Sequence, residues 1–124
     1  MLEKITTPNA PAAIGPYSQA IKVGDFIFTS GQIPINPETG NVEAQDISAQ
    51  AEQVMKNLGA VLSAAGSSFE KAIKTTCFLA EIADFSKFNE VYAKYFTEKP
   101  ARSCVAVKDL PKGVLVEVEV IAQI

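Results

Sequence analysis

Apolar and polar residues recur at two different periods along this chain, and the switches between them mark out its elements. Leu2–Thr6 reads as a short strand, followed by a proline-rich loop, Thr7-Pro8-Asn9-Ala10-Pro11. Ile14-Gly15-Pro16-Tyr17-Ser18-Gln19-Ala20 leads into an apolar stretch that ends at Val23, breaks at Gly24-Asp25 and resumes as Phe26-Ile27-Phe28-Thr29-Ser30-Gly31. Two short apolar runs around a Gly-Asp turn predict a β-hairpin over residues 18–30. Asn36–Asn41 is a polar turn cluster.

From Asp46 the period lengthens to that of a helix. Ile47, Ala51, Val54, Leu58, Leu62 and Ala65 fall on one face, with Asp46 or Ser48 available to cap the start and Gly66 suited to the stop. Residues 72–80 are rich in β-branched and aromatic types and predict a strand. Asp84 opens a second helix with Phe85, Phe88, Val91, Tyr92, Tyr95 and Phe96 on its apolar face. After Pro100, Ala101–Val107 and Val114–Ala122 read as two further strands separated by Asp109-Leu110-Pro111-Lys112-Gly113. The order β-β-β-α-β-α-β-β, with helices of about 20 and about 13 residues, predicts a single α+β or α/β domain with a mixed sheet and both helices on one face. The other sheet face is then uncovered, and where it is apolar it calls for a partner, most simply a second copy of the chain.

Alternation in the last strand puts Val114, Val116, Val118, Val120 and Ala122 on one face and Leu115, Glu117, Glu119, Ile121 and Gln123 on the other. Glu117 and Glu119 are therefore neighbours on one side, about 7 Å apart. Two acids in an apolar strand need ion-pair partners, water or a function. They fit a solvated face paired with lysines and a functional site equally well. Arg102, Cys104 and Ala106 likewise share a face, while the pairing of their strand is not fixed by pattern alone.

Composition narrows the chemistry. The 124 residues are 48% hydrophobic and 20% charged, an ordinary globular profile, and the net charge of −3 argues against a nucleic-acid or anionic-membrane surface. Histidine is absent, which removes Ser-His-Asp and Cys-His units and any His-bearing zinc site. Two separated cysteines, Cys77 and Cys104, cannot make a four-thiolate site and read as reduced, cytosolic thiols. The N-terminus lacks a signal-type apolar stretch and no run approaches membrane-spanning length, so a cytoplasmic location is expected. Ten lysines serve as surface charge, leaving Arg102 as the one guanidinium able to grip a carboxylate through two parallel hydrogen bonds. Arginine, glutamate and water, with no cofactor motif, suit hydrolysis of an electrophile that is already activated.

Three ordered motifs resemble the RidA (YjgF-like) family. They are Ile14-Gly15-Pro16-Tyr17-Ser18-Gln19-Ala20; Phe28-Thr29-Ser30-Gly31-Gln32-Ile33-Pro34; and Pro100-Ala101-Arg102-Ser103-Cys104-Val105 with Leu110-Pro111-Lys112-Gly113 and Val116-Glu117-Val118-Glu119. The resemblance spans essentially the whole chain. It implies a chorismate-mutase-like α+β fold with a mixed six-stranded sheet, the last strand inside the sheet and two helices on one face. It also implies a homotrimer, helices outward, with active sites between subunits. The implied activity is hydrolysis of 2-imino acids or their enamine tautomers, 2-iminopropanoate and 2-iminobutanoate, to 2-oxo acids and ammonia. These substrates are by-products of pyridoxal-phosphate dehydratases, and the deaminase itself needs no cofactor. By position, Arg102 would bind the substrate carboxylate and Glu117 would hold the attacking water and move protons. Tyr17 would help close the cleft, Ser30 and Gly31 would line it, Cys104 would contribute through its backbone, and Asn89 would sit near the site. The stretch Tyr95–Ala101 is shorter than the corresponding loop in many relatives, which alters the rim of the cleft.

Two other functions compete with the deaminase. The same pocket in a non-enzymatic, chaperone-like trimer would merely hold a 2-oxo acid. A ribonuclease, an activity sometimes attached to this family, is poorly supplied by an acidic chain with no histidine and one arginine. Taken alone, Cys104 reads as a buried, inert thiol, Cys77 as core and Glu119 as structural. The aromatic stripe of the second helix reads as core or subunit contact.

Overall fold

In the computed structural model, which describes residues 1–124, the polypeptide runs β1 (Leu2–Ile5), β2 (Ala20–Val23), β3 (Phe26–Thr29), α1 (Ile47–Ala64), β4 (Ala72–Leu79), α2 (Phe85–Tyr95), β5 (Ala101–Ala106) and β6 (Val116–Gln123). This is the predicted order. The Gly24-Asp25 turn joins β2 to β3 as an antiparallel hairpin, pairing Val23 with Phe26 and Ala20 with Thr29. Asp46 caps α1, its carboxylate accepting the Ala49 N–H at 2.8 Å. Gly66, at φ +82°, ends it: Ser67 N–H reaches back to Leu62 O and Gly66 N–H to Ser63 O, satisfying the last carbonyls.

All six strands form one sheet in the order β1-β2-β3-β6-β4-β5. Only β4 and β5 are parallel; the other pairs are antiparallel. The last strand is thus central, between β3 and β4, and its neighbour is not β5. A parallel β4–β5 pair requires a crossover, and α2 supplies it.

Both helices cover one face of the sheet. There Ile27, Cys77, Leu79, Val116, Val118, Val120 and Ala122 are buried beneath Val54, Leu58, Val61 and Leu62 of α1 and Phe88 and Val91 of α2. Burial at this scale is the main favourable term in folding. An aromatic ladder finishes the core, with Tyr92 stacked on Phe96 at 4.5 Å between ring centroids and Phe96 edge-on to Phe69 at 5.0 Å. Glu52 ties the helices together, accepting from Tyr95 Oη at 2.6 Å and pairing with Lys94.

No helix lies on the opposite sheet face. Phe26 and Phe28 are both 43% exposed there and Val105 46%. Glu117 and Glu119 belong to this open face. The structure gives neither a lysine partner, because the one salt bridge of the chain joins Lys94 to Glu52.

Candidate active site

The site residues expected from sequence fall into two groups. The first forms where β3 leaves the sheet. After Thr29, whose hydroxyl accepts the Val120 N–H at 3.0 Å, the backbone detours and rejoins β6 only at Gln32, which exchanges two hydrogen bonds with Val118. Ser30 and Gly31 are therefore outside the strand that pattern alone extends to Gly31. Ser30 is fixed by its N–H to Gln19 O (2.9 Å) and its hydroxyl to Ser18 O (2.6 Å). The detour leaves room for the Glu117 side chain, which lies directly over Gly31: a Cβ there would fall 2.8 Å from the Glu117 carboxyl carbon.

Glu117 opens onto a cleft of about 450 Å³ walled by Pro11, Ala12, Tyr17, Ser30 and Pro111. Tyr17 is 54% exposed at the mouth. Burial raises the Glu117 carboxyl above the usual range, and the charge of nearby Glu119 raises it further. Glu117 has no ion pair of its own, so its oxygens are available to water or ligand.

Buried amide side chains hold the walls. Gln19 accepts from Thr7 N–H at 2.7 Å and donates to Thr7 O and Pro11 O, pinning the proline-rich loop. Asn57, fully buried on α1, donates to Ile33 O and Ile35 O, both at 3.0 Å, and Gln50 caps Leu115 N–H at 2.8 Å. Reading the sequence for chemistry passes over these residues. Gln50 and Asn57 did carry a signal, since both are polar at core positions of the α1 stripe.

The second group lies on the helix face, between β5 and α2. Asn89 Oδ1 accepts from Arg102 Nη1 at 2.6 Å, and the rings of Tyr92 and Phe85 lie 4.7 Å and 5.5 Å from the guanidinium carbon. Tyr92 is itself fixed by a 2.7 Å hydrogen bond between its hydroxyl and Thr75. Two aromatic planes and one amide leave the guanidinium a single orientation. The aromatic stripe of α2 thus has a second duty beyond core packing. Cys104 is next along this face, opposite Cys77. Burial raises both thiols, Cys77 to about 12, so each is held as the neutral thiol rather than a nucleophilic thiolate.

The two groups do not meet within one chain. Arg102 pairs with Thr75 and Glu117 with Phe78, three residues further along β4 and on the other side of the sheet. Three residues along and two strands across make about 14 Å in the sheet plane, with the two side chains pointing in opposite directions. No cluster of three or more His, Cys, Asp or Glu side chains suited to a metal ion occurs, and no helix is long and apolar enough to cross a membrane.

Residues 7–124 match the family model described as Endoribonuclease L-PSP. The chain is 56% identical to the RutC family protein PH0854 of Pyrococcus horikoshii and 50% identical to the 2-iminobutanoate/2-iminopropanoate deaminase of Escherichia coli K12, each alignment covering 98% of both chains. A solved structure from Yersinia pestis, described as YyfA of the conserved Rid protein family, superposes with a TM-score of 0.97 at 52% identity over the whole of both chains. The chain belongs to the Rid (YjgF) family. Its α+β fold, mixed sheet and central last strand are those the sequence motifs implied, and in this Rid protein the three motifs occupy the walls of the two clefts.

Proposed function

We propose that this Rid protein hydrolyses 2-imino acids such as 2-iminopropanoate and 2-iminobutanoate to 2-oxo acids and ammonia, at sites completed between the subunits of a homotrimer. The observation that carries the reading is Glu117: a half-buried carboxylate with a raised pKa and no ion pair, seated against Gly31 on a cleft wall. The 50% identity to the E. coli deaminase over nearly the full chain supports the same reaction. The exposed Phe26 and Phe28, and the separation of Arg102 from Glu117, favour an assembly that covers the open face and brings the two clefts of different copies together.

The proposed steps follow from the groups present. Arg102, held by Asn89, binds the substrate carboxylate through its free edge and sets C2 against Glu117. Glu117 takes a proton from water as the oxygen bonds to C2, and that proton passes to the imine nitrogen. The carbinolamine nitrogen then takes a second proton, the hydroxyl proton passing to it by way of Glu117, and leaves as ammonia as the C2–O double bond of the 2-oxo acid forms. The balance is C=N plus water to C=O plus ammonia, with no electron transfer. Tyr17 covers the mouth, Ser30 and Gly31 shape the floor, and Cys104 offers backbone groups beside Arg102. A carbon–nitrogen double bond adds water readily, so positioning and proton management suffice.

The endoribonuclease description of the family model is the specific observation behind a second reading. A net charge of −3 with no histidine supplies neither the phosphate contacts nor the acid–base pair that RNA cleavage calls on. The deciding assay generates 2-iminopropanoate from serine with a pyridoxal-phosphate dehydratase and follows loss of the imine. Wild type should accelerate the loss and Arg102→Ala should fall to the uncatalysed rate. Equal rates for the two proteins, with both binding pyruvate, would replace the enzyme by a 2-oxo-acid-binding protein.

A further inference from the structure

The cleft around Arg102 carries more positive charge than one carboxylate needs. Lys99 and Arg102 both line it, with Asn89, Tyr92 and Phe96, and no acidic side chain does. That is notable in a chain with a net charge of −3. Lys99 is not neutralised by an ion pair, since the one salt bridge joins Lys94 to Glu52.

The backbone at Lys99 is equally uncommon. Its φ of +55° lies in the left-handed region that side chains other than glycine seldom adopt, and Pro100 after it narrows the choice again. The turn is closed by Lys99 N–H to Phe96 O at 3.3 Å, and Phe96 is anchored in the core stack on Tyr92. Strained residues of this kind persist where the surroundings over-determine them, and they gather at ligand sites. Here the strain sets a lysine on the rim of the arginine cleft, in the short turn between α2 and β5.

Arg102 has little left for a second anion. One terminal nitrogen is committed to Asn89 and two rings lie against the guanidinium, leaving an edge for a single carboxylate. A second acid group on the ligand therefore needs another donor, and Lys99 is the other cation lining the cleft.

We propose that Lys99 sets the substrate class of this cleft: 2-imino acids with a second carboxylate on the side chain, the 2-carboxylate on Arg102 and the distal one on Lys99. This rests on the imine-hydrolysing reading and leaves its chemistry at C2 unchanged. The upstream reaction is then one that oxidises the C–N bond of an acidic amino acid, or expels a β-substituent such as hydroxyl from one.

The test compares kcat/KM on 2-iminoglutarate, generated from glutamate by an amino-acid oxidase, with that on 2-iminobutanoate, generated from threonine by a dehydratase. Wild type, Lys99→Gly and Lys99→Arg are measured side by side; glycine accepts the left-handed backbone and keeps the turn. The ratio of the two kcat/KM values should fall about tenfold in Lys99→Gly and be largely restored in Lys99→Arg, a typical loss for one charge-assisted contact. The wild-type ratio should also shrink at about 0.5 M salt. An unchanged ratio in Lys99→Gly overturns the proposal. If wild type hydrolyses neither imine, the deaminase reading fails instead. Calorimetric binding of 2-oxoglutarate against 2-oxobutanoate then judges Lys99 alone: a wild-type preference for the dicarboxylate that Lys99→Gly loses upholds the anion selection, and equal affinities overturn it.

Discussion

Glu117→Gln should make the protein more stable and nearly inactive at once, and the two effects have one cause. The ionised carboxylate is half-buried without an ion pair, and Glu119 on the same sheet face adds repulsion, so the folded state favours the protonated form. A group whose pKa is raised on folding contributes stability that is fully present below its unfolded value, near 4.3 for glutamate, and lost as pH rises through the folded value. At pH 7 wild type has lost that contribution, whereas an uncharged amide of the same shape never carries the penalty. Relieving a strained functional group of this kind typically gains about 1 kcal/mol, or roughly 4 °C in Tm for a chain of this length. Thermal unfolding at matched protomer concentration should show the gain at pH 7 and no difference near pH 4. Other carboxylates, such as Glu52, whose pKa is lowered chiefly by Lys94 and then Tyr95, weaken both proteins equally in acid and cancel from the comparison. Imine hydrolysis should drop at least about 100-fold, the usual share of a general base. In wild type, kcat/KM should decline in acid from a pH above the ordinary glutamate range. A Gln variant that is less stable at pH 7, or whose advantage survives at pH 4, would refute the reasoning.

Gly31→Ala should cost activity with little cost in stability, because its Cβ would meet only the flexible end of Glu117 and push the carboxylate off its seat. A loss of tenfold or more in kcat/KM with unfolding free energy within about 0.5 kcal/mol of wild type is expected, and retained activity would count against the seat. Asn57→Ala leaves the Ile33 and Ile35 carbonyls without their buried donor and should lower stability by about 2–3 kcal/mol in urea denaturation. A change under about 0.5 kcal/mol would mean that water replaces the amide.

The elements were legible because their signals are local. The Gly24-Asp25 turn, the Asp46 cap, the Gly66 stop and the two-residue alternation of Val116 to Ala122 each act within a few residues of chain, and each appears where pattern puts it. Strand order was not legible from pattern: nothing local makes β6 a neighbour of β3 and β4, and the resemblance to a family supplied what periodicity lacked. The site divides the same way. Arg102 stood out by being the one arginine, and Glu117 by being an acid in an apolar strand. Gln19, the Tyr92 and Phe85 rings at Arg102, and the left-handed Lys99 were missed. Their roles depend on hydrogen bonds and contacts to segments up to 17 residues away, or on a backbone angle that composition does not record.

The division of labour between the two sheet faces has a physical logic and a decisive test. A guanidinium is oriented best by aromatic planes, and α2 provides them only on the covered face; a carboxylate base gains from being desolvated late, which the open face allows when another copy covers it. On the proposed trimer a working site then draws Arg102 from one copy and Glu117 from another. Arg102→Ala and Glu117→Gln are each expected to be inactive, yet unfolding and refolding them together should restore activity. With random mixing half of the copies offering the arginine are intact, and half of those facing them offer an intact glutamate, so about a quarter of wild-type activity returns. Mixing without refolding should return nothing until subunits exchange. A refolded mixture that is trimeric but stays inactive would mean that both residues of a site come from the same copy, and that the path from Arg102 to Glu117 runs around the sheet edge of a single chain.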